Sequence, residues 1–248
     1  MGVVNWVPRF SGAQHRGERH AALGQPCCDA LVLPRQSFVL SGFVLCDGAG
    51  GNDAVARSAL ASARAGWRAL LRLRRELRSS HDPHLLKQFQ ARLMRQRGSV
   101  PLLDHTFLAC CWDRRRLLVL QVGDSSLLVR QSGQWCCPLA PAKGAYANQT
   151  TFLRKQTPVS SIQLWQSPSS AVEAVIGFSD GLESAFLSPP LQGHCLPQTN
   201  GPLADLVIAE HRLRQGARSY PAWLASSLAD PGLARLSDDD RTLVIASR

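Results

Sequence analysis

The apolar run Phe43-Val44-Leu45-Cys46 ends in Asp47 and then breaks into Gly48-Ala49-Gly50-Gly51-Asn52. A short apolar run bounded by turn residues reads as a buried strand. The glycines let the backbone turn sharply and approach a ligand closely. Beyond Asn52 the period changes to that of a helix, so a buried strand feeds a helix through an acid-bearing turn. Three more strand boundaries carry acids: Gly123-Asp124-Ser125 after Leu118 to Val122, Ser179-Asp180-Gly181 after Val175 to Phe178, and Ser237-Asp238-Asp239-Asp240 before Thr242 to Ala246. Asp and Gly favour turns on their own account, which explains each case singly. Four acidic turns on rigid strand ends predict convergence on one site for a hard cation such as Mg²⁺ or Mn²⁺. No Gly-Lys-Ser/Thr follows the first turn, so it is not a phosphate-binding P-loop.

The remaining periodicity places these turns in an α+β chain. Residues 1 to 36 read as an extended, loop-rich lead-in, in which His20 and Asp29 are candidate functional residues. Residues 37 to 47 form the strand ending in Asp47. Asn52 or Asp53 caps a helix to about Leu77, with Leu60, Trp67, Leu70, Leu71 and Leu77 as its apolar stripe. Asp82 and Pro83 open a second helix, with Leu86, Phe89 and Leu93 buried and Gly98 as its stop. His105 to Trp112, Leu117 to Val122, Leu127 to Gln131 and a short strand at Trp135 read as an antiparallel meander. Periodicity then lapses over 138 to 155. Strands resume at 161 to 165 and 171 to 178, a loop follows over 186 to 202, two amphipathic stretches lie near 203 to 214 and 220 to 228, and a final strand begins at Thr242. With no internal repeat or linker, 1 to 248 reads as one domain.

The chain has 248 residues and a net charge of +10. Such a charge suits nucleic acid, an anionic surface or acidic and phosphorylated proteins. Much of it is arginine on the two helices, where a solvated face accounts for it. A nucleic-acid surface needs aromatics interleaved with basic residues, and the eight Phe, two Tyr and six Trp fall mostly in core patterns, so nucleic acid is not expected. The eight cysteines show no Cys-x-x-Cys spacing, which argues against zinc. Cys110 and Cys111 lie in a strand pattern and point to opposite faces, as small buried thiols of a reducing compartment. No apolar run approaches the length of a membrane span and no secretory leader is evident, so a cytoplasmic, non-membrane protein is expected.

The ordered set Asp47-Gly48-x-Gly50-Gly51, Gly123-Asp124-Ser125, Ser179-Asp180-Gly181 and Asp239-Asp240-x-Thr242 resembles the metal-dependent type 2C protein serine/threonine phosphatases. Gly17-Glu18-Arg19-His20, Gly24-Gln25-Pro26-Cys27-Cys28-Asp29 and Ala145 to Phe152 are similar to a compact bacterial branch, and the resemblance runs over about residues 12 to 247. It implies two stacked antiparallel β-sheets flanked by helix pairs. It implies two Mn²⁺ or Mg²⁺ ions, with Asp47 bridging them, the Gly48 carbonyl on one, and Asp180 and Asp239 on the other. Asp124 belongs to a possible third site. Asp29 stands behind the ligands, and residues 138 to 155, with Asn148 and Thr150, form a flap beside the metals. Paired divalent ions lower the pKa of a water and clamp phosphoryl oxygens, so the implied activity is hydrolysis of phosphoserine and phosphothreonine in proteins, a cognate serine/threonine kinase included, in bacterial signalling.

Four departures from that pattern bear on function. Ala49 stands where many members have a histidine that protonates the leaving group, which leaves water or His20. Gly24 stands where many have a phosphate-gripping arginine, which leaves Arg19, and Cys28 replaces an acid before Asp29. Ser184 stands where a third-site aspartate occurs, with Glu183 beside it. These motivate an alternative, a weak or inactive phosphatase-like protein that binds phosphoproteins or scaffolds a partner.

Overall fold

Two five-stranded antiparallel sheets stack face to face, and helices cover the outer face of each. The computed structural model describes residues 7–77, 82–142, 150–192 and 195–248. In chain order the elements are β1 (Ser11–His15), α1 (Glu18–Ala22), β2 (Ala30–Val32), β3 (Leu40–Cys46), α2 (Asp53–Glu76), α3 (Pro83–Gln96), β4 (Phe107–Asp113), β5 (Arg116–Val122), β6 (Ser126–Gln131) and β7 (Gln134–Cys136). There follow β8 (Gln163–Pro168), β9 (Ala174–Phe178), α4 (Glu183–Phe186), β10 (Leu187–Ser188), β11 (Gln198–Thr199), α5 (Gly201–Arg214), α6 (Tyr220–Leu228), α7 (Pro231–Ala234) and β12 (Arg241–Ser247). The first sheet has the order β1-β12-β9-β6-β7 and the second β2-β3-β4-β5-β8. The fold is the α+β sandwich expected from the sequence.

Alternation along the strands divides the core into three layers. Phe10, Phe43, Trp112, Val175 and Val244 fill the space between the sheets, with Phe10 set edge-on to Phe43 at 5.3 Å between ring centroids. Val44, Ala109, Leu118 and Leu120 face α2 and α3. Ile176, Phe178 and Ile245 face α4, α5 and α6. Cys110 lies in the layer between the sheets and Cys111 under α2, as alternation predicts, and both are free thiols.

Four expectations need correction. The lead-in is not loop throughout: β1 pairs with β12 and β2 with β3. Those strands are short and weakly patterned, and distant partners make them. The meander breaks after β5, which pairs with β4 and β8, whereas β6 joins β9 and β7 in the other sheet. Gly123, at φ +98°, makes that crossing, a conformation glycine adopts without steric cost. The loop over 186 to 202 contains the paired strands β10 and β11.

The fourth correction concerns α2. Ala59, Ala63, Ala65, Gly66 and Ala69 are buried with Leu70 and Leu73, whereas Leu60, Trp67 and Leu71 pack only partly buried around them. Small residues let the helix lie close to β4, and a Cβ on Gly66 would stand 2.4 Å from the Phe107 ring. The Asn52 side chain caps α2 by accepting from the N–H groups of Ala54 and Val55, and Asp82 caps α3 through His84 and Leu85. Arg97, 6% exposed, bolts the two helices by donating to Ser58 O, Ser62 Oγ and Pro101 O. Among the described residues, no helix is long and apolar enough to cross a membrane.

Candidate metal centre

β3 delivers Asp47 to one end of the second sheet. The Thr106 N–H donates to Asp47 O (2.8 Å) and the Asp47 N–H to Thr106 Oγ1 (3.1 Å). Thr106 Oγ1 also lies 2.8 Å from Ser125 Oγ, which ties the Asp47 turn to the crossing that carries Asp124. Gly48 bridges to His105, and the Ala49 N–H donates to Asp104 O (3.0 Å). β9 delivers Asp180 from the other sheet. A Cβ on Gly181 would stand 2.1 Å from Asp240 O, so only glycine lets the Asp180 turn press against the Asp239-Asp240 segment.

Asp29, Asp47, Asp124, Asp180 and Asp239 therefore meet from five separate segments. The Asp47 and Asp180 side chains adjoin each other, close enough to perturb one another's ionisation. Burial, then repulsion from Asp180 and Asp29, pushes the Asp47 carboxyl well above the ordinary carboxylate range. Burial, then Asp124 and Asp239, pushes Asp180 up to about 6. Burial pushes Asp29 up to about 8, even though its Oδ2 accepts from the Thr242 hydroxyl at 2.6 Å. Its Oδ1 is buried without a hydrogen-bond partner. Clustered carboxylates that resist ionisation, with a buried oxygen unsatisfied, are the donor set a hard divalent cation completes. Glu183 adds its charge near Asp180, and Ser184 brings no carboxylate.

Asp240, unassigned by the sequence, organises the N-terminal half of the centre. Its buried carboxylate accepts from the Gly17 N–H (2.8 Å) and the Cys28 N–H (2.6 Å), and His20 Nδ1 lies 3.0 Å away. His20, Cys28 and Asp240 offer donor atoms within 4.8 Å of one another, but both Asp240 oxygens already hold backbone N–H groups, so the cluster acts as a clamp. His20 is only 4% exposed. His20 is thus a buried residue of α1 beside the Asp240 carboxylate, not an exposed residue of the lead-in. Fully buried Arg241 pairs with Glu18 and donates to Leu228 O at 2.9 Å, securing α1. Half-exposed Arg19 donates to Asp239 Oδ2 at 2.8 Å. Thr150 Oγ1 donates to Ala142 O at 3.1 Å, and Asn148 lies outside the described residues.

The family model described as protein phosphatase 2C matches residues 16–227. The chain belongs to the protein phosphatase 2C family. It is 30% identical over 145 residues to serine/threonine-protein phosphatase 3 of Escherichia coli (strain K12), an alignment covering 57% of this chain and 54% of that protein. The chain thus spans about half the length of the curated relative it matches. Serine/threonine phosphatase Stp1 from Staphylococcus aureus superposes with a TM-score of 0.57 at 16% identity, covering 96% of this chain and 94% of that one. The catalytic domain of the serine threonine protein phosphatase PstP, solved with two manganese ions, superposes with a TM-score of 0.55 at 17% identity over 97% and 98%. At these identities the superpositions show the shared fold.

Proposed function

We propose that this phosphatase 2C chain hydrolyses phosphoserine and phosphothreonine in proteins in a reaction dependent on Mn²⁺ or Mg²⁺. The observation that carries this reading is the convergence of Asp47 and Asp180, delivered by strands of the two different sheets, with three further carboxylates around them. The site would hold its ions through Asp47, the Gly48 carbonyl, Asp180 and Asp239, with Asp124 at the edge. Two such ions, when bound, neutralise the phosphoryl charge and make water nucleophilic at neutral pH. Asp29 Oδ1, buried and unpartnered, is the atom that takes up the proton of the attacking water. Arg19 reaches Asp239 from the rim, half in solvent, where its guanidinium can turn to a phosphoryl oxygen. With Ala49 at the turn and His20 clamped inside, solvent protonates the leaving hydroxyl. The two manganese ions of the PstP structure support the choice of metal, and the name of the Escherichia coli relative supports the substrate class. Phosphorylated proteins of the cytoplasm, a cognate kinase among them, are the partners this reading assigns.

Phosphate release from a phosphothreonine peptide tests it. Turnover should appear with Mn²⁺, vanish in excess EDTA and return when Mn²⁺ is restored. Undiminished turnover in the chelator would sink the proposal.

A further inference from the structure

Arg74 and Arg75 at the end of α2, Arg115 and Arg116 at the β4–β5 turn, and Trp165 and Gln166 of β8 line a cleft of about 1020 Å³. It lies at the opposite end of the second sheet from the carboxylates. Leu40 of β3 pairs with Asp113 at the cleft, and Asp47 follows the other end of that strand. The separation is about 23 Å at the rise of an extended strand. The carboxylate lining the cleft, Asp113, is saturated by Arg74 Nη1 (2.5 Å) and the backbone N–H groups of Arg115 (2.7 Å) and Arg116 (2.9 Å). Among the described residues, no carboxylate pairs with the exposed side chains of Arg75 and Arg115.

The cleft is also built. Arg116 donates to Arg74 O (2.5 Å) and Leu77 O (2.7 Å) at the open end of α2, and to Gln166 Oε1 (2.9 Å). That holds the helix end against β8. β8 pairs with β5 alone, so among the described residues its outer edge has no strand partner. Such an edge offers backbone donors and acceptors to an extended polypeptide, while arginines select phosphate or carboxylate groups. A concave cleft does not fit a lipid surface, and one aromatic, Trp165, is too few to stack the bases of a single strand.

We propose that this cleft docks an extended acidic segment bearing phosphoserine in the protein substrate, paired along β8 with its anionic side chain between Arg75 and Arg115. The identity of the partner rests on the phosphoprotein reading above. An extended chain covers about 3.3–3.6 Å per residue, so the docking segment lies at least about seven residues from the phosphoresidue being hydrolysed.

The test is fluorescence anisotropy of a labelled Glu-rich peptide of about 12 residues with one central phosphoserine, in EDTA, where no turnover occurs. Saturable binding should weaken about tenfold or more when two charge-assisted contacts are reversed in Arg75→Glu/Arg115→Glu, and should persist in Asp47→Asn. With Mn²⁺, the double variant should lose kcat/KM on long phosphopeptides and keep its turnover of p-nitrophenyl phosphate. Arg75→Gln/Arg115→Gln repeats the measurement should the reversal lower the melting temperature. Equal binding by wild type and both double variants overturns the docking site, as does tighter binding of a single-stranded oligonucleotide or of inorganic phosphate alone. Charge-sensitive peptide binding with no turnover of any substrate upholds the cleft and overturns the phosphatase reading.

Discussion

Asp239 and Asp240 are consecutive, yet one adds its charge to the carboxylate ring and the other is buried on the Gly17 and Cys28 N–H groups. The three aspartates lie in the bend that leads into β12, so the run reveals a site without revealing which member enters it. Resemblance to the family singled out Asp239, and only the fold gives Asp240 its place. The two roles separate by mutation. Asp47→Asn and Asp239→Asn should abolish most Mn²⁺-dependent turnover while the protein stays folded, and in EDTA Asp47→Asn should melt higher because one mutually repelling carboxylate is gone. Asp240→Asn should instead destabilise by about 1–3 kcal/mol, through buried N–H groups left poorly paired. Thermal melts with and without Mn²⁺, beside turnover, distinguish the outcomes. Arg19→Ala should raise KM about tenfold on phosphopeptides with a smaller change in kcat, if its guanidinium turns from Asp239 to substrate phosphate as proposed. Steady-state kinetics decide it.

The helices were legible because their caps and stops are local: Asn52, Asp82 and Gly98 sit where their roles require. The buried face of α2 was not, since alanines, serines and a glycine look featureless to a search for large apolar residues. What selects them is the neighbouring sheet, above all the Phe107 ring against Gly66. Gly66→Ala tests this. On helix propensity alone it should stabilise by about 1 kcal/mol. Contact with Phe107 reverses the sign, giving a loss of about 1–3 kcal/mol from overpacking. Denaturant titration of Gly66→Ala, alone and with Phe107→Leu, should show the loss and then its partial recovery. β1 and β2 escaped notice for a related reason: strands of five and three residues are specified by their partners more than by their own pattern.

The whole molecule should respond to pH in opposite ways with and without metal. Asp29, pushed up to about 8, and Asp47, higher than the ordinary range, bind protons in the folded chain at pH values where the unfolded chain does not. That stability is present at low pH and lost as pH rises through the folded values. In EDTA the unfolding free energy, and with it the melting temperature, should therefore climb from pH 8 to 6.5, the free energy by up to about 1.4 kcal/mol per pH unit for each group. Saturating Mn²⁺ keeps the carboxylates ionised and should erase the climb. Below 6.5 the metal-loaded protein should lose stability, because burial holds His105 and His211 down to about 4 and the unfolded chain takes protons that the folded one refuses. Calorimetry over pH 5 to 8 in both buffers measures these slopes.

The pairing of β1 with β12 has a consequence for synthesis. Ser11 lies opposite Ile245, so the first sheet cannot close on the ribosome until nearly the whole of this sequence has emerged. At about 5–20 residues per second, that leaves the β1 edge waiting on the order of ten to fifty seconds for β12, and the β9 edge on the order of three to thirteen. Throughout that interval Asp239 is absent from the ring and Gly17 has no Asp240 to anchor it. A half-made chain thus lacks part of the carboxylate ring on which the proposed activity depends, and a truncated product ending before β12 would stay so while exposing two strand edges to its neighbours.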